Sequence, residues 1–193
     1  MKKILFLSLS AFLAAAGFSA AFAAGGGSSG STGGATTSPA NPALNCKKGE
    51  VVKKVSVNGA MVKKCVKVGA GILPDEDLYQ QGRLLAKAGE YDWALQVLAA
   101  IQNQNDPRVL NYTGYSNRKA GRLEIGIAYY QKALAIDPNF VLAREYLGEG
   151  YVVAGRTDLA QIQLSEIKNR VGVDSEEYKD LSKAITTGVS VAN

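Results

Sequence analysis

Histidine is absent from the 193 residues, and cysteine nearly so, with Cys46 and Cys65 the only two. Without an imidazole, Ser–His and Cys–His nucleophilic catalysis and the usual zinc sites are excluded. No glycine-rich phosphate loop follows a strand; the glycines of LGEGYVVAG recur where helix packing and helix ends need them. Carboxylates are plentiful but spread along helix faces, where i, i+4 neighbours such as Glu145 and Glu149 are normally solvated. The sequence predicts no enzyme, no cofactor and no metal.

Acidic side chains are missing from the whole stretch before Glu50. The formal charge of +5 is therefore uneven. Residues 46–68 hold seven lysines against Glu50 alone, whereas residues 69–193 hold 13 basic and 16 acidic side chains. The basic pI of about 9.1 describes one short segment. Nucleic-acid binding calls for a basic face over the folded module, and the larger part of this chain is net acidic.

Residues 1–23 place Lys2 and Lys3 before an apolar run from Ile4 to Ala16 and end in Ala21-Phe22-Ala23. A charged start, a short apolar middle and an A-x-A end predict a secretory signal peptide of the bacterial Sec type, cleaved after Ala23. The expected location is periplasmic or secreted, with no transmembrane segment left after cleavage. Residues 24–45, AGGGSSGSTGGATTSPANPALN, have one leucine and no charge. Such a composition cannot offset its ordering entropy and reads as a disordered Gly/Ser-rich linker.

An oxidising compartment lets disulfides persist. Between the cysteines, Asn58-Gly59 is flanked by valine-rich runs, a strong two-residue hairpin signal. The implied register pairs Val57 with Ala60, Val55 with Val62, Lys54 with Lys63, Lys53 with Lys64 and Val52 with Cys65. Cys46 reaches Cys65 if the chain turns back at Gly49, so residues 46–68 are expected to form a basic β-hairpin closed by a Cys46–Cys65 disulfide. Two readings of Lys53, Lys54, Lys63 and Lys64 stand side by side. They guard a strand edge, or they meet an anionic envelope component: a lipid headgroup, lipopolysaccharide or an acidic polymer.

From Asp75 the sequence repeats. Gly114, Gly121, Tyr130 and Ala133 return 34 residues later as Gly148, Gly155, Leu164 and Ile167, and Gly82, Gly89, Leu98 and Ile101 stand 32 residues upstream. A period of this length marks a solenoid of helix pairs. The units are 75–106, 107–140 and 141–174, after a hinge at 69–74. Ser175 then starts a capping helix, 175–187, whose Tyr178, Leu181 and Ile185 cover the third unit; a tail, 188–193, follows. Glycine or alanine at 82, 94, 114, 126, 148 and 160 lets paired helices approach. Gly89, Gly121 and Gly155 suit left-handed helix ends.

LNYTGYSNRKAGRLEIGIAYYQKALAIDPN and EYLGEGYVVAGRTDLA resemble the tetratricopeptide repeat (TPR) family over about 100 residues. The resemblance implies an all-α, TPR-like helix-pair solenoid of three repeats plus a cap, and a noncatalytic adaptor or scaffold that holds a protein or peptide segment of the cell envelope in its concave groove. The first helices would present Tyr79, Arg83, Lys87, Asn111, Tyr115, Arg118, Lys119, Glu145 and Glu149 there, with Leu142 and Val152 beside them. Arginines and lysines suit an acidic segment, Glu145 and Glu149 a basic one. One family subtype grips a C-terminal carboxylate with a lysine–asparagine–arginine clamp. Tyr79, Arg83, Leu142 and Tyr146 stand at clamp positions, so that binding is not expected.

Overall fold

The computed structural model describes residues 45–189. The expected signal peptide, all of the linker before Asn45 and the last four residues lie outside the described residues. The elements run β1 (Glu50–Val57), β2 (Ala60–Lys67), α1 (Asp75–Lys87), α2 (Tyr91–Ala99), α3 (Pro107–Lys119), α4 (Leu123–Ile136), α5 (Val141–Val153), α6 (Thr157–Val171) and α7 (Glu176–Thr187).

The strands form an antiparallel ribbon in the register that the Asn58-Gly59 turn dictates, from Val57↔Ala60 back to Glu50↔Lys67. Both turn residues have positive φ, 51° and 79°, as a two-residue turn matched to strand twist requires. Gly49, at φ 86°, reverses the chain. Glu50 N–H donates to the Lys47 carbonyl and Val68 N–H to the Gly49 carbonyl. Cys46 is thereby brought to Cys65, and the two form a disulfide.

Each helix pair closes by the same local device. After α3, Gly121 N–H donates to the Arg118 carbonyl and Arg122 N–H to that of Asn117, a cap with two backbone bonds that needs a left-handed residue at Gly121. Asp106 opens α3 with its carboxylate accepting from Arg108 N–H, and Pro107 fills the first turn, where no amide donor is needed. The pair α3–α4 meets at two glycines. A Cβ on Gly126 would sit 2.8 Å from the Gly114 carbonyl oxygen and 2.8 Å from Arg118 Cβ, so backbone approaches side chain with nothing free to give way.

Both ends of the array are covered. At the C-terminal end Ser175 Oγ accepts from Tyr178 N–H, and α7 inserts Leu181, fully buried, against Gly148. At the N-terminal end the hairpin base docks on the first repeat. Val51 is fully buried. The Gln81 amide both accepts from Val52 N–H and donates to its carbonyl, and Trp93 Nε1–H donates to the Glu50 carbonyl. Arg122 reaches Asp92 and Arg156 reaches Glu124, each bridging successive second helices. Glu90 occupies the matching position of the first repeat and pairs instead with Lys48 of the hairpin, at 2.7 Å. The hairpin base thus stands where a preceding repeat would stand, covering the apolar end that a solenoid must close. Leu73, within residues 69–74, is buried in the same core.

Candidate functional site

The first helices of the three repeats, α1, α3 and α5, lie side by side, and a run of phenols crosses them. Tyr79 on α1 meets Tyr112 on α3 edge to face at 6.0 Å between ring centroids. Tyr112 neighbours Tyr115 at 6.0 Å, Tyr115 meets Tyr146 of α5 at 5.2 Å, and Tyr146 meets Tyr130 of α4 at 6.1 Å. Tilted and edge contacts of this kind add to the area buried. Burial raises the Tyr79 and Tyr115 phenols to about 12, so at neutral pH they remain neutral hydroxyls.

Cations are layered on this ladder. Arg83 Nε donates to Tyr112 Oη at 3.0 Å. Lys87 Nζ donates to Tyr146 Oη at 3.1 Å and lies 5.2 Å from the Tyr115 ring centroid. Lys119 Nζ sits 5.8 Å from the same ring, and the Arg108 guanidinium 4.6 Å from that of Tyr79. Cation–ring contacts of this geometry are attractive, more so when water is excluded. Burial lowers the pKa of Lys87, which the carboxylates of Glu145 and Glu149 partly oppose. Burial likewise lowers that of Lys119, and the nearby Arg118 charge adds to the effect.

Below the cations lies a charged network that the sequence reading placed in solvent. Arg118 donates to Glu149 at 2.7 Å with both side chains almost wholly buried, and its Nε donates to Tyr130 Oη at 3.3 Å. Glu145, also buried, is raised to about 8 by desolvation, then by the charges of Glu149, Asp180 and Glu177, against the opposing pull of Lys87.

The expected exposure of Tyr79, Asn111, Tyr115, Arg118, Glu145 and Glu149 therefore fails. Helix-face projection puts these residues on the shared side of the first helices. Phenol stacking, the Arg118–Glu149 pair and the packing of α7 on α5 cover them. Arg83 and Lys119 are half-buried and Lys87 is exposed; these three remain reachable. Lys54, Lys63 and Lys64 are exposed and Lys53 is half-buried. Helix-face projection omits Tyr112 and Tyr130 from the groove and gives Tyr146 only a clamp position, although Tyr79, Tyr112 and Tyr146 recur at 33- and 34-residue intervals, a signal present in the sequence. Gln81 and Trp93, the hairpin clamps, carry no local signal. Among the described residues one group of cysteine and carboxylate atoms, Cys46, Glu50 and Cys65, lies close enough to share an ion. Both sulfurs are in the disulfide, which leaves no thiolate to ligate.

Two solved structures decide the architecture. The chain aligns with the first TPR of Spaghetti (RPAP3) bound to an HSP90 peptide, SRMEEVD, over 62% of this chain and 96% of that one, with 12% identity and a TM-score of 0.53. It aligns with the Yersinia enterocolitica type III secretion chaperone SycD, in complex with a peptide of the translocator YopD, over 62% and 93%, with 20% identity and a TM-score of 0.51. The fold is a TPR-like solenoid. A further alignment, to a MamA RS-1 ArsTM double mutant, has 27% identity and a TM-score of 0.46, and covers 49% of this chain and about half of that one (55%). No protein-family model matches the chain, nor does any curated protein. At these identities the likeness concerns the TPR-like fold: three helix pairs and a capping helix, fronted here by a disulfide-closed hairpin.

Proposed function

We propose that this chain is a noncatalytic adaptor whose TPR-like array holds an acidic peptide segment of a protein partner along the shared face of α1, α3 and α5. The observation that carries the reading is the row of cations, Arg83, Lys87 and Lys119, seated on buried tyrosines. Their aromatic supports fix them in place, and two of them are partly desolvated lysines. An incoming carboxylate gains charge-assisted hydrogen bonds from groups already ordered, which lowers the entropy lost on binding. Two TPR-like structures that share this fold hold peptides, which supports the same use here.

The apparent signal peptide extends the proposal to an exported protein working in a bacterial cell envelope, and the Cys46–Cys65 pairing suits that oxidising setting. Export is tested by the N-terminal residue of protein recovered from cells, expected near Ala24. Groove binding is tested by selecting from a displayed peptide library on the immobilised chain. Selected peptides should be rich in Asp and Glu, and a variant with Arg83, Lys87 and Lys119 all changed to Ser should lose them. Peptides without acidic bias, or retained by that variant at unchanged affinity, would remove this reading.

A further inference from the structure

The distal half of the hairpin has no counterpart in the solenoid. Glu50, Val51 and Val52 dock on the first repeat, whereas every residue of β2 except Val66 is exposed. At about 3.3 Å per residue, the stretch from Lys53 to Val57 carries the turn roughly 15 Å beyond the docked base. A hairpin serving only as an end cap has no use for this projection.

The finger has two chemical zones. Around its turn, Val57, Met61 and Val62 are exposed, Met61 at 67%. One step back the register opposes Lys53 to Lys64 on one face and Lys54 to Lys63 on the other. Like charges directly opposed across strands destabilise the ribbon. Among the described residues no carboxylate forms an ion pair with any of these four lysines. Edge protection accounts for lysine on an exposed strand, but not for a tip of valine and methionine held out in water.

We propose that this finger docks on an anionic phospholipid surface, its Val57–Met61–Val62 tip entering the bilayer interface while the collar of Lys53, Lys54, Lys63 and Lys64 meets the headgroup phosphates. Three residues separate the turn from the collar, about 10 Å, comparable to the depth at which interfacial elements bury their apolar side. A soluble acidic polymer would engage the lysines and leave the tip in water, so the apolar tip selects a bilayer. Gln81, Trp93 and Glu90 hold the base to the first repeat, the disulfide closes the hairpin itself, and docking at the tip therefore orients the repeat array at the surface.

The test reads the tip in the chain that begins at Ala24, because Lys2, Lys3 and the apolar run of residues 4–16 would themselves partition into anionic vesicles. Cys46 and Cys65 leave no free thiol among the described residues, so Ala60→Cys takes an environment-sensitive fluorophore beside the turn. Vesicles containing phosphatidylglycerol should shift its emission to the blue, phosphatidylcholine vesicles should not, and added salt should reverse the shift. A lysine near an anionic surface contributes about fivefold to partitioning. Changing Lys53, Lys54, Lys63 and Lys64 to Ser should thus lower the partition coefficient by roughly two orders of magnitude or more. Val57→Ser with Met61→Ser should weaken vesicle binding and spare binding of long-chain polyphosphate. The proposal is overturned by an equal shift on neutral vesicles, by a shift that survives loss of the four lysines, or by polyphosphate binding without any vesicle response. The salt and lipid arms need no charge substitution, so they decide the matter even where a variant folds poorly.

Discussion

The Arg118–Glu149 pair separates a scaffold residue from a binding residue most sharply. Arg118 lies on α3 and Glu149 on α5, so the bond between them, 2.7 Å long and almost wholly out of solvent, ties the second repeat to the third. Removing one member of a buried pair leaves a charge without its counter-ion and costs about 3–5 kcal/mol, whereas replacing both with apolar side chains of similar size is often neutral or better. Glu149→Leu should therefore lose about 3–5 kcal/mol, a large part of the 5–15 kcal/mol typical of a domain. Arg118→Met should lose a comparable amount, and Arg118→Met with Glu149→Leu should recover most of either loss. Asp92→Asn is the control: it breaks an exposed pair with Arg122 in the same repeat series and should cost at most about 1 kcal/mol. Urea unfolding of the oxidised chain measures all four, the midpoint reporting stability while an unchanged slope reports the same surface exposed. Losses below about 1 kcal/mol for the single variants, or simple additivity in the double variant, would refute the assignment and return both residues to the candidate binding face.

Three more predictions rest on single positions. Glu145 is raised from its ordinary 4.5 to about 8, chiefly by burial. Between those pH values the folded chain keeps a proton that the unfolded chain has lost, so stability falls as pH rises across the window and levels off above it; Glu145→Gln should flatten that fall, as thermal midpoints against pH will show. A Cβ at Gly148 would stand 2.5 Å from Leu181 Cδ2, and Leu181 is fully buried. Overpacking of about 1–3 kcal/mol against a helix-propensity gain of about 1 leaves Gly148→Ala destabilised by up to about 2 kcal/mol. Hydrogen exchange should show the loss concentrated in α7, and unchanged α7 protection would contradict the packing. The Asn111 amide is fully buried and makes no hydrogen bond to the described residues, so Asn111→Leu should leave stability unchanged or raise it by about 1–2 kcal/mol; a loss in denaturant unfolding would reveal a partner for that amide.

What the sequence made legible was whatever repeats or is local. The glycine spacing, the Asn58-Gly59 turn and the Ser175 cap each impose a conformation within a few residues, and the structure has them. Helical spacing puts Tyr115, Arg118, Glu145 and Glu149 on one side of their helices, and the structure buries all four there. Spacing gives the angle at which a side chain leaves its helix, however, not the depth of what covers it. That depth comes from partners far along the chain: Arg118 meets Glu149 from 31 residues away, and the charges of Glu177 and Asp180 on α7 act on Glu145. The hairpin base is hidden for the same reason. Gln81 reads as an ordinary polar position in α1, and only the tertiary fold sets its amide against both polar groups of Val52. In a short array the ends weigh heavily, because a hairpin at one end and α7 at the other each bury a face that the repeat pattern alone leaves open. Of the first-helix residues that the spacing puts forward, those left open to solvent are therefore fewer and more uniformly basic: Arg83, Lys87 and Lys119, with Glu145 and Glu149 buried.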